Sequence, residues 1–326
     1  MESAKSDLRL AAMTLLLPLY ASVAFATNYV GALHAPAPHG VRVAIVGAPS
    51  ATAPVARALS RPSGAYDVSQ LRSVGWARRL VGERKLAAAY LPASNAPPTV
   101  VVATAASPSL AGFVEATFRR AAAAQGRPLA VDDVRPLPPD NATGASNFFF
   151  VVVCTLAGLL TVGALGALAP TLPPRRRLAV IAVAAVLAPV VAYLIAGIAY
   201  STFGGSLPTI VALLALGALY SFVVATTIRL MQLGLGALGV LLGSFVCIFL
   251  SMPSSGGSVA AQLLPGFWRF LSHFWIGAAA LDANRSILYF GGAGVGIDIV
   301  KLVGWVVAWG VLLAGPIYVR RTRRPG

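Results

Sequence analysis

Four ionisable side chains, Arg269, His273, Asp282 and Arg285, fall within LPGFWRFLSHFWIGAAALDANRSILYFGG, residues 264–292, among aromatic and small residues. A guanidinium and an imidazole four apart share one face of a helix, and a carboxylate and a guanidinium three apart are close enough to pair. Such groups can neutralise one another, or they can help a substrate to leave. On a helix starting at Pro265, Phe267, Phe270, Leu271 and Phe274 share another face, while Trp268 and Trp275 suit the level of lipid head groups. Asp298 and Lys301 repeat the charge pairing a little further on.

Catalytic constellations are absent. The three histidines are His34, His39 and His273, and the first two lie in a Pro-rich linker. Cys154 and Cys247 each fall within an apolar run, so neither a disulfide nor a metal-ligand spacing is expected, and no cofactor is implied. GGAGVG at 291–296 does not match G-x-G-x-x-G and follows no βα unit. No G-x-x-x-x-G-K-[ST] occurs, so this chain is not expected to hydrolyse ATP or to act as an enzyme.

The elements that must position these residues are those of a membrane protein. With 57% hydrophobic residues, 11% charged ones and a mean hydropathy of +0.78, the chain carries more apolar surface than a soluble core needs. Six windows of the roughly 20 apolar residues that cross a bilayer can be marked: Leu8 to Val30, Phe148 to Leu168, Leu178 to Tyr200, Leu207 to Ile228, Leu233 to Met252 and Ile297 to Val319. The fold class is therefore a polytopic α-helical membrane protein of six transmembrane helices. A short tail and the first helix occupy 1–30, a small extracytoplasmic α/β domain 31–146, and a five-helix domain 147–326. An interrupted hairpin spans about 253–296 of the last part. Lys5 and Arg9 before an apolar run ending in Ala24-Phe25-Ala26 also fit a secretory signal, but the run is long for one and an uncleaved anchor is preferred.

Lys5, Arg9, Arg175, Arg176, Arg177, Arg229, Arg320, Arg321, Arg323 and Arg324 all fall on one side of these spans. The positive-inside rule makes that side the cytoplasm, with both termini inside and residues 31–146 outside a cell (plasma or inner) membrane. The net charge of +15 then marks topology and contact with anionic lipid, and does not call for nucleic acid. In the outer segment, VRVAIVG, AYDVSQL, AAAYL, PTVVVATA and LAVDDVRPL read as strands alternating with helices at PVARALS, SVGWARRLVGERK and 109–124, which implies a one-sheet α/β layer. With 12 Lys and Arg against 6 acids, its surface is either simply solvated or suited to an anionic envelope component.

Residues 264–292 begin and end on the outer side, and Pro265, Gly266, Gly277, Gly291 and Gly292 cut them into pieces too short to cross. Two short helices lying in or dipping into the outer leaflet are expected, with charges paired or snorkelled. Gly158, Gly163, Gly166 and the G-x-x-x-G step Gly239/Gly243 allow close helix approach, either within one bundle or across a dimer seam.

One span, a large outer domain, then five spans with LPGFWRFLSHFWIGAAALDANRSILYF between the last two resembles the ATP-binding cassette permeases of the type-2 export class. It is nearest the phage infection protein-like subgroup, which carries an outer domain after the first span. The resemblance implies a homo- or heterodimer of six-span subunits and a separate cytoplasmic ATPase. It also makes the hairpin an outer gate, with Phe267, Trp268, Arg269, His273, Trp275, Asp282 and Arg285 as the candidate substrate path. Arg175, Arg176, Arg177 and Arg229 become the candidate ATPase contact. One departure stands against it: the second and third spans are joined only by about TLPPRRR, where Pro173 and Pro174 forbid a regular coupling helix. Two readings follow, an exporter subunit for an amphiphilic or lipid-like substrate, and a non-transporting surface receptor, sensor or scaffold whose outer domain binds an envelope component.

Overall fold

The first apolar run forms α1, Glu2–Phe25, which continues through a π-helical turn at Ala26–Val30 to Leu33, past Ala24-Phe25-Ala26. The Tyr20 hydroxyl donates to the Leu241 carbonyl at 2.9 Å and ties this helix to the bundle. The computed structural model describes residues 2–59, 64–93, 96–257 and 259–322. Arg323 and Arg324, and the side chains of Lys5, Arg9, Arg320 and Arg321, lie outside the described residues.

Short β-branched runs then build a sheet. Its elements in chain order are β1 (Val41–Val46), α2 (Pro49–Leu59), β2 (Tyr66–Leu71), α3 (Val74–Gly82), β3 (Ala88–Leu91), β4 (Thr99–Val102), α4 (Pro108–Ala123) and β5 (Ala130–Asp133). The strand order is β2-β1-β3-β4-β5, parallel except for the β3–β4 pair. Ser73 and Ser107 begin α3 and α4 by accepting the backbone N–H three residues on, with Pro108 at the first helical position of α4. Helices cover both faces, as buried parallel strands require. Val41, Val43, Ile45 and Tyr90 pack under α2 and α4, where the Tyr90 and Phe118 rings stack at 5.2 Å. Ala44, Val46 and Val101 pack against Ala77 and Val81 of α3.

The rest is helical: α5 (Ala145–Leu168), α6 (Pro174–Tyr193, extended by a π-helical turn to Ala199), α7 (Leu207–Leu235), α8 (Ala237–Ser244), α9 (Gly266–Ser272), α10 (Ile276–Tyr289) and α11 (Val295–Thr322). Among the described residues five stretches are long and apolar enough to cross a membrane: Thr14–Leu33, Ala145–Leu168, Pro174–Ala199, Leu207–Leu235 and Val295–Leu312. The chain is thus a membrane-embedded helical protein. The window expected at Leu233 to Met252 differs. Here α7 runs on to Leu235, Gly236 breaks it at φ 68°, and a shorter apolar helical stretch follows at Leu238–Ser254, loosened by a π-helical turn at Phe245–Leu250.

Small residues decide how the helices meet. α7 touches α5, α6, α8, α10 and α11. A Cβ on Gly239 would lie 2.0 Å from the Met231 carbonyl oxygen, and one on Gly243 would lie 3.1 Å from the Ile228 Cα. The G-x-x-x-G step is therefore consumed in folding α8 back on α7 within one chain. Pro189 of α6 seats against Gly217, where a Cβ would come within 2.5 Å. Between α5 and α7 the Ser221 hydroxyl donates to the Cys154 carbonyl at 2.9 Å, and the Thr155 and Tyr220 hydroxyls bond at 2.9 Å.

Gly158 and Gly163 give opposite tests of this packing. A Cβ at Gly158 would stand 2.8 Å from the Ser221 carbonyl oxygen and 2.9 Å from Val224, whereas Gly163 has nothing within 4 Å. Gly158→Ala is expected to destabilise the purified protein by about 1–3 kcal/mol through overpacking. Gly163→Ala should be neutral or stabilising by up to about 1 kcal/mol through helix propensity. Thermal unfolding of both variants in detergent checks the sign.

Candidate functional site

Helix α10, IGAAALDANRSILY, is an interior element: eleven of its fourteen residues are buried. Its first turns are small, so it approaches its neighbours closely; a Cβ on Gly277 would meet the Ser251 hydroxyl at 2.3 Å. It packs against α5, α7, α11 and the 251–254 turn. Its alanine face lets it sit buried in the bundle, reaching helix backbones that longer side chains could not.

That burial forces partners on Asn284, Arg285 and Ser286, while Asp282 stays half-exposed. The expected i,i+3 pair of Asp282 with Arg285 does not form. Asp282 is held by Arg84, from the turn after α3, with Nη2 2.7 Å from Oδ1. Nη1 of Arg84 donates to the Ser286 hydroxyl at 2.8 Å, and its guanidinium lies 5.3 Å from the centre of the Phe290 ring. Arg84 has φ 61°, a left-handed conformation that costs a side-chain-bearing residue about 1–2 kcal/mol. It sits in the turn that closes α3, where the N–H groups of Arg84 and Lys85 donate to the Val81 and Leu80 carbonyls at 3.0 and 2.9 Å. Next to it the Glu83 carboxyl is held below the usual carboxylate range, chiefly by its hydrogen bond from Lys85.

Arg285 is 6% exposed and, among the described residues, donates to the Gly256 and Gly257 carbonyls alone, at 3.3 and 3.4 Å. Among the described residues no carboxylate lies within salt-bridge distance of it. On the other side of α10, Asn284 Oδ1 accepts from Asn147 Nδ2 at 3.1 Å, and Asn147 Oδ1 accepts from Asn141 at 2.8 Å and from the Tyr289 hydroxyl at 3.1 Å. This chain of amides joins α10 to the start of α5, and the Asn284 amide nitrogen is left without a partner.

The α/β domain rests directly on this end of the bundle. Backbone N–H groups of Ala37 and His39 donate to the Leu263 and Gln262 carbonyls at 3.0 Å each, and the Ala260 N–H donates to Ser109 at 3.0 Å. Ala260 and Leu263 belong to the same buried cluster as Val43 and Phe118. Between domain and bundle remains a cavity of about 160 Å³, with Arg42, Arg84, Lys85, Asp282 and Arg285 on its walls. Such a cavity can bind a small charged group from either the domain or the bundle side.

The other sequence candidates scatter. Trp268 and Trp275 are buried, with the Trp275 indole donating to the Val246 carbonyl at 3.1 Å, while Phe267 and Phe270 are exposed on α9. For Trp275 the buried position gives its N–H a backbone acceptor that an exposed one would not. Arg269 is half-buried and His273 is exposed, its Nδ1–H donating to the Arg269 carbonyl at 2.7 Å. Asp298 and Lys301 pair at 3.0 Å. Arg175 and Arg176 are exposed at the start of α6, but Arg177 is buried and caps the carbonyls of Ala169 and Pro170 at 2.9 and 3.1 Å. Arg229 donates to Gln232 at 2.6 Å. Sequence reasoning missed Arg84, Asn141, Asn147 and Asn284. The two asparagines flanking the start of an apolar span were a visible signal; Arg84 offered none, since its partner lies 198 residues away.

No family model matches this chain, and no curated protein or solved structure matches it.

Double-mutant cycles separate the two charge pairs. For Arg84→Gln with Asp282→Asn, a coupling of about 1 kcal/mol is expected in unfolding free energy. The cycle of Asp282→Asn with Arg285→Gln should give a smaller value. A larger coupling in the second cycle would mean that the pair within α10 is the one that holds.

Proposed function

We propose that this chain is the permease subunit of an ABC-type exporter, moving an amphiphilic or lipid-like substrate outward with a separate cytoplasmic ATPase. One observation carries the reading: α10, too short to cross a bilayer, is buried inside the bundle beneath a folded domain, with a charged cavity where the two meet. A broken helix at membrane depth is tolerated only where protein or a cavity surrounds it, which is the arrangement that substrate paths use. In this reading the chain has six spans and cytoplasmic termini, the α/β domain lies outside a cell membrane, and two such subunits form the pathway. Phe267 and Phe270 meet lipid beside the path, and Arg175 and Arg176 face the ATPase.

A second reading keeps one specific support. The α5–α6 connection runs straight into α6 at Pro174, with Arg177 turned back onto it, which leaves no coupling helix there. A surface receptor, sensor or scaffold without an ATPase has no need of one.

Purification from its own cells in mild detergent should bring down an ATP-binding cassette ATPase, and Arg175→Glu with Arg176→Glu should release it. Absence of any ATPase, together with unchanged lipid and drug export after deletion, would favour the receptor. For orientation, Gln125→Cys in the exposed turn after α4 should react with a membrane-impermeant maleimide on intact cells; both native cysteines are buried. Labelling that requires permeabilised cells would invert the topology.

A further inference from the structure

We propose that the cavity between the α/β domain and α10 is a binding site for a phosphate-type anion, the head of a phosphate ester. Four cationic side chains reach its walls: Arg42 from β1, Arg84 and Lys85 from the turn after α3, and Arg285 from α10. Two of them have acidic partners, Arg84 in Asp282 and Lys85 in Glu83 at 2.7 Å. The other two have none among the described residues. Asp67, which stands opposite Arg42 in the β1–β2 register, makes no ion pair with it.

The unpaired charge on Arg285 is the stronger argument. An ion removed from water costs several kcal/mol unless an opposite charge and well-made hydrogen bonds compensate it. Arg285 is more than nine-tenths buried, yet among the described residues its acceptors are just two carbonyls at 3.3 and 3.4 Å, both long for charge-assisted bonds. An anion in the cavity would supply the missing countercharge.

The geometry selects phosphate over carboxylate. Arg42 comes from the domain and Arg285 from the bundle, with Gln262 and Ser255 as further polar lining. A tetrahedral phosphate offers oxygens to both at once, whereas a carboxylate presents two oxygens in one plane. The volume, about 160 Å³, far exceeds the roughly 10–15 Å³ that admits one water, but is too small for a whole lipid. Only a head group or a free phosphate enters. The site does not rest on the export reading, since a receptor would hold the same anion, and its test needs neither an ATPase nor transport.

The test uses the full chain in nanodiscs of neutral lipid, with thermal stability followed against inorganic phosphate and against dioctanoyl phosphatidic acid. Saturable stabilisation is expected from at least one of them. Arg42→Gln should weaken it about tenfold, the worth of one charge-assisted hydrogen bond, and the distant surface variant Arg119→Gln should leave it unchanged. Stabilisation by the lipid alone identifies a lipid head group as the source; stabilisation by both identifies free phosphate as a sufficient ligand. If Arg42→Gln does not fold, Lys85→Gln reads the same cavity from its rim and is also expected to weaken binding. No stabilisation by either probe, equal stabilisation by chloride at matched ionic strength, or undiminished binding in the folded variant would overturn the proposal.

Discussion

Four polar side chains crowded into five positions of one buried helix set the terms for this structure. Asp282, Asn284, Arg285 and Ser286 project from α10 in different directions; Asn284, Arg285 and Ser286 are buried and cannot be left to water, while the half-exposed Asp282 lines the cavity. Each direction recruits a different part of the chain. Arg84 comes from the α/β domain for Asp282 and Ser286, Asn147 comes from α5 for Asn284, and the carbonyls of Gly256 and Gly257 come from the loop before α9 for Arg285. The polar turn of α10 is thereby the point through which domain, bundle and hairpin are registered to one another.

The domain is joined to the bundle by more than this contact. Leu263 and Ala260, from the stretch that leads into α9, complete the hydrophobic core beneath α4. The linker before β1 pairs its backbone with the same stretch at Ala37 and His39. Movement of α9 and α10 would therefore be felt in the sheet through apolar contacts, backbone hydrogen bonds and the Arg84 ion pair together. Arg84 takes the left-handed position of the turn that closes α3, with its N–H and that of Lys85 returning to the Val81 and Leu80 carbonyls, and this turn presents its guanidinium to α10 and Phe290.

At the other end of the bundle, basic residues divide into those that face out and those that close the fold. Arg175 and Arg176 are free to meet a partner, while Arg177 neutralises carbonyls left over where α5 ends. Adjacent arginines thus have different work, and the difference lies in which side of the first turn of α6 each occupies.

Much of the architecture was legible in the residues alone. Apolar runs of spanning length located α1, α5, α6, α7 and α11, and β-branched runs cut by Gly and Pro located all five strands, because both signals are local periodicities of the backbone. Local spacing failed where a side chain had a choice of partners. Asp282 and Arg285 are close enough on a helix to pair, yet Asp282 bonds to Arg84, and Trp268 turns inward where Phe267 and Phe270 do not. The G-x-x-x-G step announced close approach without saying to what; Gly236 decided it by folding α8 onto α7. Composition and periodicity by themselves determined that the chain enters a membrane and carries an α/β domain. Tertiary structure alone decided the partners of α10 and the cavity beside it, because long-range ion pairs depend on which distant segments the packed helices bring together.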